Sequence, residues 1–127
     1  MAETRDYISY TDEDGSVNIS DEVLIVIAGS AAAETEGVHA LYPTYSHDIG
    51  DLLNKKTLAR SVKIVVEEQD VSLDVFIIVD VGYAINAVAV AVQKAVSEAI
   101  ESSIGLKPTA VNIHVCGISL KKSKKTD

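Results

Sequence analysis

His114 and Cys116 are the residue pair best placed for chemistry. They stand two positions apart in an alternating apolar stretch, and side chains two apart in a β-strand point to the same face. An imidazole and a thiolate on one face supply two zinc ligands, as a small metal- or ligand-binding enzyme would need. The other histidines, His39 and His47, lack the paired spacing typical of zinc sites. Such an enzyme is therefore an alternative, and a surface histidine beside a half-buried thiol is the favoured interpretation.

Other arrangements that would carry chemistry are incomplete in this sequence. The dipeptide His47-Asp48 resembles the metal-binding pair of HD-type phosphohydrolases, but the further histidines of such a site are missing. No serine lies in the Gly-x-Ser-x-Gly turn that positions the nucleophile of an α/β-hydrolase. The acidic run Asp12-Glu13-Asp14 lacks the glycine and the terminal glutamate of a calcium loop. The sequence therefore predicts no catalytic residue, no metal site and no cofactor.

The composition favours a single cytoplasmic domain. A chain of 127 residues, 47% of them hydrophobic, has the size of one globular domain. Its net charge of -8 opposes binding to nucleic acid phosphates and to anionic lipid. Cys116 is the only cysteine, so no disulfide forms within the chain, and a reducing compartment is expected. No apolar run approaches the roughly 20 residues that cross a bilayer, so we expect no direct membrane insertion.

Two segments have the spacing of amphipathic helices. The first begins at Asp21 behind Ser20, whose hydroxyl suits a helix N-cap, and we expect it to end at Gly37. The second covers residues 86–103, because apolar residues recur there at intervals of three and four although many are β-branched valines. Gln93 is the one polar residue well inside the Val/Ala-rich part of the second helix. We expect its amide to lie in water at the helix edge.

Strands are indicated where apolar and polar residues alternate. Short alternating runs lie at residues 17–19, 62–66 and 111–115, and a longer run covers residues 71–81. The polar turn at residues 68–70 favours a β-hairpin between the runs at residues 62–66 and 71–81. The second helix, which lies between the runs at residues 71–81 and 111–115, favours a crossover connection that makes these two strands parallel neighbours. These elements predict an α+β fold, a two-layer sandwich with two helices packed on one face of a three- to four-stranded mixed sheet.

The chain is expected to divide into three parts. Residues 1–14 are acidic with few apolar anchors, and we predict a flexible leader there. Residues 15–118 form the single α+β domain, and residues 119–127 form a lysine-rich tail. Within the domain, residues 38–45 are predicted to form an edge strand because a proline interrupts them. Residues 49–58 suit either a short helix or an irregular loop.

The sheet face opposite the helices is expected to be partly apolar. By the alternation, this face carries Val65, Phe76, Ile78 and Ile118 among polar residues. A half-apolar face that its own chain leaves open often meets another subunit or a partner. These four residues are therefore the candidate interface.

The core of strand, helix and strand also invites comparison with RNA-binding modules of KH-like architecture. The sequence contains no Gly-x-x-Gly loop, aromatic residues amount to 5%, and the folded part is acidic. RNA binding stays a further alternative, and no nucleic acid is expected as a partner.

Two groups of motifs follow one another in order along the chain. The opening group is Gly15-Ser16-Val17-Asn18-Ile19-Ser20-Asp21-Glu22-Val23, Ile27-Ala28 and Glu36-Gly37-Val38, and the closing group is Val81-Gly82-Tyr83-Ala84-Ile85, Val88-Ala89, Val92-Gln93, Ile104-Gly105-Leu106 and Val111-Asn112-Ile113-His114-Val115-Cys116-Gly117-Ile118. Together they resemble the alkaline shock protein family of envelope-stress proteins in Gram-positive bacteria, with a gap in the middle. In the closing group Gly82 precedes Tyr83, where the family pattern has the reverse order.

This resemblance implies a small, non-enzymatic, cytoplasmic protein of cell-envelope homeostasis. It further implies self-association into a homo-oligomer and binding of a partner protein, which for some members is a separate membrane anchor. Zinc analysis of protein purified without an affinity tag separates this hypothesis from an enzyme that uses His114 and Cys116. A stoichiometric metal would contradict the non-enzymatic role.

Overall fold

The structure, a computed structural model, describes residues 7–42, 61–68 and 70–120. In these residues the chain forms six strands and two helices. Their order is β1 (Tyr7–Asp12), β2 (Gly15–Ser20), α1 (Asp21–Ala33), β3 (Val38–Leu41), β4 (Val62–Glu67), β5 (Asp70–Asp80), α2 (Ile85–Ile104) and β6 (Ala110–Ser119). The predicted α+β fold is confirmed. The predicted helix or loop at residues 49–58 lies outside the described residues.

The first two strands form a hairpin. β1 and β2 pair antiparallel with Asp12 opposite Gly15, and the backbone amide of Asp14 donates to the Asp12 carboxylate at 2.8 Å. The acidic residues that suggest disorder in the sequence therefore build the tight turn of this hairpin.

Apolar and aromatic side chains anchor the hairpin to the rest of the domain. Ile8 is 2% exposed and belongs to the core, and the Tyr10 hydroxyl donates to the carbonyl oxygen of Ile104 at the end of α2. The prediction of a flexible leader is wrong for residues 7–14, because β1 pairs with β2 along its length and Ile8 and Tyr10 anchor it to the domain. Residues 1–6 lie outside the described residues.

β5 is the central strand of a four-stranded mixed sheet. β4 pairs antiparallel with its first half, where Val62 lies opposite Val75, and β3 pairs antiparallel with its second half, where Val38 lies opposite Val79. β6 runs parallel to β5 along both halves. Because a strand has only two edges, β3 and β4 share one edge of β5 end to end, and β6 occupies the other. The predicted hairpin and parallel pairing are both confirmed.

The core lies between one face of this sheet and the two helices. Every second side chain of β5 from Val71 to Val79 is at most 1% exposed. The helices bury matching stripes, which are Leu24, Ala28 and Ala32 on α1 and Val88, Val92, Val96, Ile100 and Ile104 on α2. Both helices therefore pack on the same sheet face, as the sequence predicts.

The two helices end in different ways. α2 ends at Ile104, one residue beyond the predicted end, because Gly105 has φ of 78° and its amide donates to the carbonyl oxygen of Glu101 at 2.8 Å. α1 ends at Ala33, with Glu34 as its C-cap, earlier than the predicted stop at Gly37. Gly37 instead lies in the turn that leads into β3, with φ of 97°.

Candidate functional site

We call the sheet side turned away from the helices the outer face. It carries the outward side chains of β5, which are Ser72, Asp74, Phe76, Ile78 and Asp80, together with neighbours on β3, β4 and β6. The first four side chains of this row are half-buried, and Asp80 is 4% exposed. The centre of the row is therefore apolar, and a carboxylate lies on each side of it.

One carboxylate pairs with a histidine of β6. His114 lies opposite Phe76 in the register, and its Nε2 is 2.9 Å from Oδ1 of Asp74. Its ring stacks on the Phe76 ring with a centroid distance of 4.5 Å and an interplanar angle of 15°. His114 and Asp74 are 44% and 37% exposed, so water reaches both. These contacts fix the orientation of Phe76 on the outer face.

The second carboxylate pairs with a histidine of β3. The register shifts at His39, between Val38 and Ala40, and Nδ1 of His39 lies 2.9 Å from Oδ1 of the buried Asp80. Sequence patterns do not reveal this pair, because its members are far apart in the chain and only the irregular pairing of β3 brings them together. The one local signal is a histidine inside a short apolar strand.

The predicted interface residues do not form one continuous patch. Phe76 and Ile78 are neighbours in the outward row of β5. Val65 lies on the same face, 45% exposed, but opposite Ser72, which is roughly 13 Å along the strand from Phe76. Asp74 stands between them. Of the predicted interface residues, Phe76 and Ile78 are therefore the two that lie together at the centre of the outer face.

Ile118 lies on the helix side of β6, away from the outer face that carries His114. The register passes from Val115 opposite Ile77 to Gly117 opposite Ile78, so Cys116 is the extra residue of a β-bulge. Ile118 then lies opposite Val79, whose side chain faces the helices. The expectation that Ile118 shares the outer face is wrong, because the bulge shifts the alternation by one residue. Ile118 is 50% exposed at the helix-side rim of β6.

His114 and Cys116, the pair that the alternative enzyme would use, are not arranged for catalysis in the described residues. The Cys116 thiol is exposed and donates to the carbonyl oxygen of His114 at 3.7 Å, while the His114 ring is bound to Asp74. A cysteine nucleophile needs its thiol beside the imidazole, and this arrangement lacks that contact. No group of three or more His, Cys, Asp or Glu residues in the described ranges could hold a metal ion. His47 lies outside those ranges.

A groove of about 700 Å³ lies between the helices. Small residues and two carboxylates line it, namely Ala31, Glu34, Thr35, Ala95, Glu98, Ala99 and Ser102. Its two hydroxyls, of Thr35 and Ser102, donate to the carbonyl oxygens of Ala31 and Ala99, so neither hydroxyl donates to a carboxylate that could act as its base.

Gln93 connects α2 to β6. Its Nε2 donates to the carbonyl oxygen of Val111 at 2.8 Å, although the residue as a whole is exposed. The amide therefore bonds to the protein, where the sequence pattern suggested that it would lie in water. The side chain supports the crossover between the second helix and the last strand.

Comparison with known proteins gives one family and several relatives. The model of the alkaline shock protein family, described by a cell envelope-related function, matches residues 9–120. The uncharacterized protein Spy1535 of Streptococcus pyogenes is 35% identical over 114 residues, which are 89% of this chain and 86% of the relative. The uncharacterized Bacillus subtilis proteins YloU and YqhY are 33% and 31% identical, over 82% of this chain and 88% and 77% of their own lengths. No solved structure matches the chain.

In the described ranges, neither helix has the length and hydrophobicity needed to cross a bilayer. The family description refers to the cell envelope and names no enzymatic activity. The predicted resemblance is confirmed, and the chain belongs to the alkaline shock protein family, whose function is related to the cell envelope.

Proposed function

We propose that this protein is a non-catalytic cell-envelope protein of the cytoplasm, which self-associates and binds a membrane-anchored partner protein through its outer face. The observation that carries the proposal is the apolar pair Phe76 and Ile78, half-buried at the centre of that face. Uncovered apolar side chains at the centre of a polar surface are typical of sites where another protein binds.

The outer face has the layout of a small protein interface. Phe76 and Ile78 form its centre, and the pair of Asp74 with His114 on one side and the His39 ring, bound to the buried Asp80, on the other form a polar rim. The stacked His114 ring holds Phe76 in one orientation. Because the Phe76 ring is already ordered, it loses less side-chain entropy when a partner covers it.

The charge of the chain indicates the chemistry of the partner. A net charge of -8 repels anionic lipid and attracts cationic protein segments. The cytoplasmic flanks of membrane-spanning helices carry an excess of Lys and Arg. A partner segment with apolar residues for Phe76 and Ile78, flanked by Lys or Arg for the exposed carboxylate of Asp74, complements the outer face. Such a segment lies where a membrane anchor would present it.

The test introduces a charge at the centre of the outer face. In Phe76→Asp, in Ile78→Asp and in the double variant, the carboxylate opposes burial of this face by a partner. Val17→Asp is the matched control, because Val17 is 58% exposed on the separate hairpin sheet. Cross-linking in intact cells with mass spectrometry, pull-down from the membrane fraction and light scattering compare the variants. We expect the outer-face variants to lose the cross-linked partner and the control to retain it.

An unchanged cross-linking pattern and an unchanged pull-down in a folded double variant would refute the role of the outer face. A thiol footprint gives an independent readout, because Cys116 is exposed, is the only cysteine of the chain, and has its thiol 3.7 Å from the carbonyl oxygen of His114, the residue that stacks on Phe76. Its reaction with a maleimide should slow when the partner is bound. Reaction at the same rate with and without the partner would contradict binding over this face.

A further inference from the structure

β6 offers the longest strand edge without a neighbour in the described part of the chain. It has ten residues, and its one pairing partner there is β5. The opposite edge of the sheet is divided between β3 with four residues and β4 with six. An edge strand leaves alternate backbone amides and carbonyls without partners in the sheet.

The hydrogen bonds of β5 define which of its residues bond to β6. The amide of Tyr42 donates to the carbonyl oxygen of Phe76 on the β3 side at 2.8 Å. The amide of Val81 donates to the carbonyl oxygen of Ser119, in β6, at 2.8 Å. Backbone groups of successive residues point to opposite edges of a strand, so the odd-numbered residues of β5 bond to β6.

The register then gives the direction of the backbone groups in β6. In a parallel pair, a residue that bonds across the pair lies opposite one that does not. Val75 lies opposite Ile113, and Ile77 lies opposite Val115. The amides and carbonyls of Ile113 and Val115 therefore point away from β5, toward the free edge.

Two features limit the length of the free edge. At one end, the Gln93 side chain already donates to the carbonyl oxygen of Val111. At the other end, the bulge at Cys116 interrupts the regular strand. Ile113 and Val115 are therefore the residues at which a further strand would pair.

The side chains near this edge favour contact with another strand. β6 contains no Lys, Arg, Asp or Glu, whereas β4 carries Lys63 and Glu67, and such charges are a common means of keeping an edge unpaired. Val90 lies one turn before Gln93 on α2 and is 62% exposed. The free edge is thus uncharged, and an exposed apolar side chain lies on the adjacent side of the helix.

We propose that β6 pairs antiparallel with β6 of a second copy of this chain, across a twofold axis at His114. Ile113 of one copy then exchanges backbone hydrogen bonds with Val115 of the other. The proposal rests on the self-association proposed above and assigns it to this edge. A second copy is favoured as the occupant because the outward-pointing residues Ile113 and Val115 lie symmetrically about His114, so a twofold axis there gives both of them partners, and β6 has no charged residue to oppose the contact.

Amide hydrogen exchange on the unmodified protein tests this pairing directly. At low concentration we expect slow exchange at Asn112 and His114, which bond to β5, and fast exchange at Ile113 and Val115. Raising the concentration should slow exchange at Ile113 and Val115 by about tenfold or more, because pairing gives these amides acceptors. Packing of two outer faces would leave these two amides fast.

A proline variant tests, in a second way, the backbone hydrogen bond that the Ile113 amide donates to the second copy. Ile113→Pro removes an amide that points to the free edge, and proline is tolerated at such positions of edge strands. Ile113→Ala is the matched control, because it shortens the side chain and keeps the amide. Circular dichroism establishes that both variants are folded. In sedimentation experiments we expect the proline variant to self-associate about tenfold more weakly than the alanine variant.

The outcomes separate this inference from the proposed function. A dimer in which Ile113 and Val115 still exchange fast, or equal association of the proline and alanine variants, overturns edge pairing and leaves self-association standing. A chain that stays monomeric at all concentrations overturns both. Protection of the two amides only after addition of a partner protein overturns the second copy as the occupant.

Discussion

Replacing Gly37 by alanine should destabilise the domain by about 2–5 kcal/mol. Gly37 has φ of 97°, a region that costs a residue with a side chain about 1–2 kcal/mol. An added Cβ would lie 2.6 Å from Cγ2 of Val88 and 3.0 Å from Cδ2 of Tyr83. Crowding of this kind in a packed interior typically costs about 1–3 kcal/mol. The turn between α1 and β3 therefore needs a glycine for its conformation and for its close contact with α2.

Gly105→Ala is the control that separates the cost of the positive φ from the cost of the close contact. Gly105 also has a positive φ, of 78°, but nothing lies within 4 Å of an added Cβ. Urea unfolding with linear extrapolation gives the free energy of unfolding of each variant. We expect Gly37→Ala to lose about 1–3 kcal/mol more than Gly105→Ala, because only Gly37 has the close contact.

A second substitution tests the contact itself. Val88→Ala removes the atom closest to the added Cβ. The loss in free energy of unfolding that Val88→Ala causes should therefore be smaller by about 1 kcal/mol or more when Gly37 is already alanine. Equal losses for Gly37→Ala and Gly105→Ala, together with additive effects of Gly37→Ala and Val88→Ala, would refute the argument from close packing.

Three further predictions concern the sheet and its neighbours. Gln93→Met keeps the length of the side chain but removes the donor to the Val111 carbonyl, and urea unfolding should show a loss of about 0.5–1.5 kcal/mol. Asp80→Ala should lower the free energy of unfolding by about 1–3 kcal/mol because this carboxyl is buried. Asp74→Ala should lower it by less than about 1 kcal/mol, because water reaches this exposed pair and can replace the lost carboxylate. Equal losses would contradict the difference in burial. Cys116 should react fully with a maleimide in the folded monomer, and a reaction that requires urea would show that the thiol is covered.

Local sequence patterns were sufficient to predict most of the architecture. The spacing of Val88, Val92 and Val96 outweighs the weak helix propensity of valine, since a stripe buried against a sheet contributes more than propensity does. The strict alternation of β5 specifies which of its side chains enter the core. Both patterns are local, so a single sequence contains them in full.

The features that sequence patterns did not predict depend on pairing between distant segments. The bulge at Cys116 moves Ile118 from the outer face to the helix side, and the irregular pairing at His39 brings its ring to Asp80. Alternation alone assumes a regular strand, so one extra residue reverses every assignment that follows it. Phe76 and Ile78 keep the face that alternation assigns to them, because both lie in the regular part of β5.

The open edge at β6 is a consequence of the topology of the sheet. Two short strands, β3 and β4, complete one edge of β5, and the crossover through α2 places a single long strand on the other. Natural edges are kept from pairing by short strands, charged side chains and bulges. β3 is short and β4 is charged, whereas β6 is long and uncharged, and within the described ranges its bulge and Gln93 are the only features that protect it. Natural sequences usually protect both edges of a sheet, so the difference between these two edges favours a pairing role for β6.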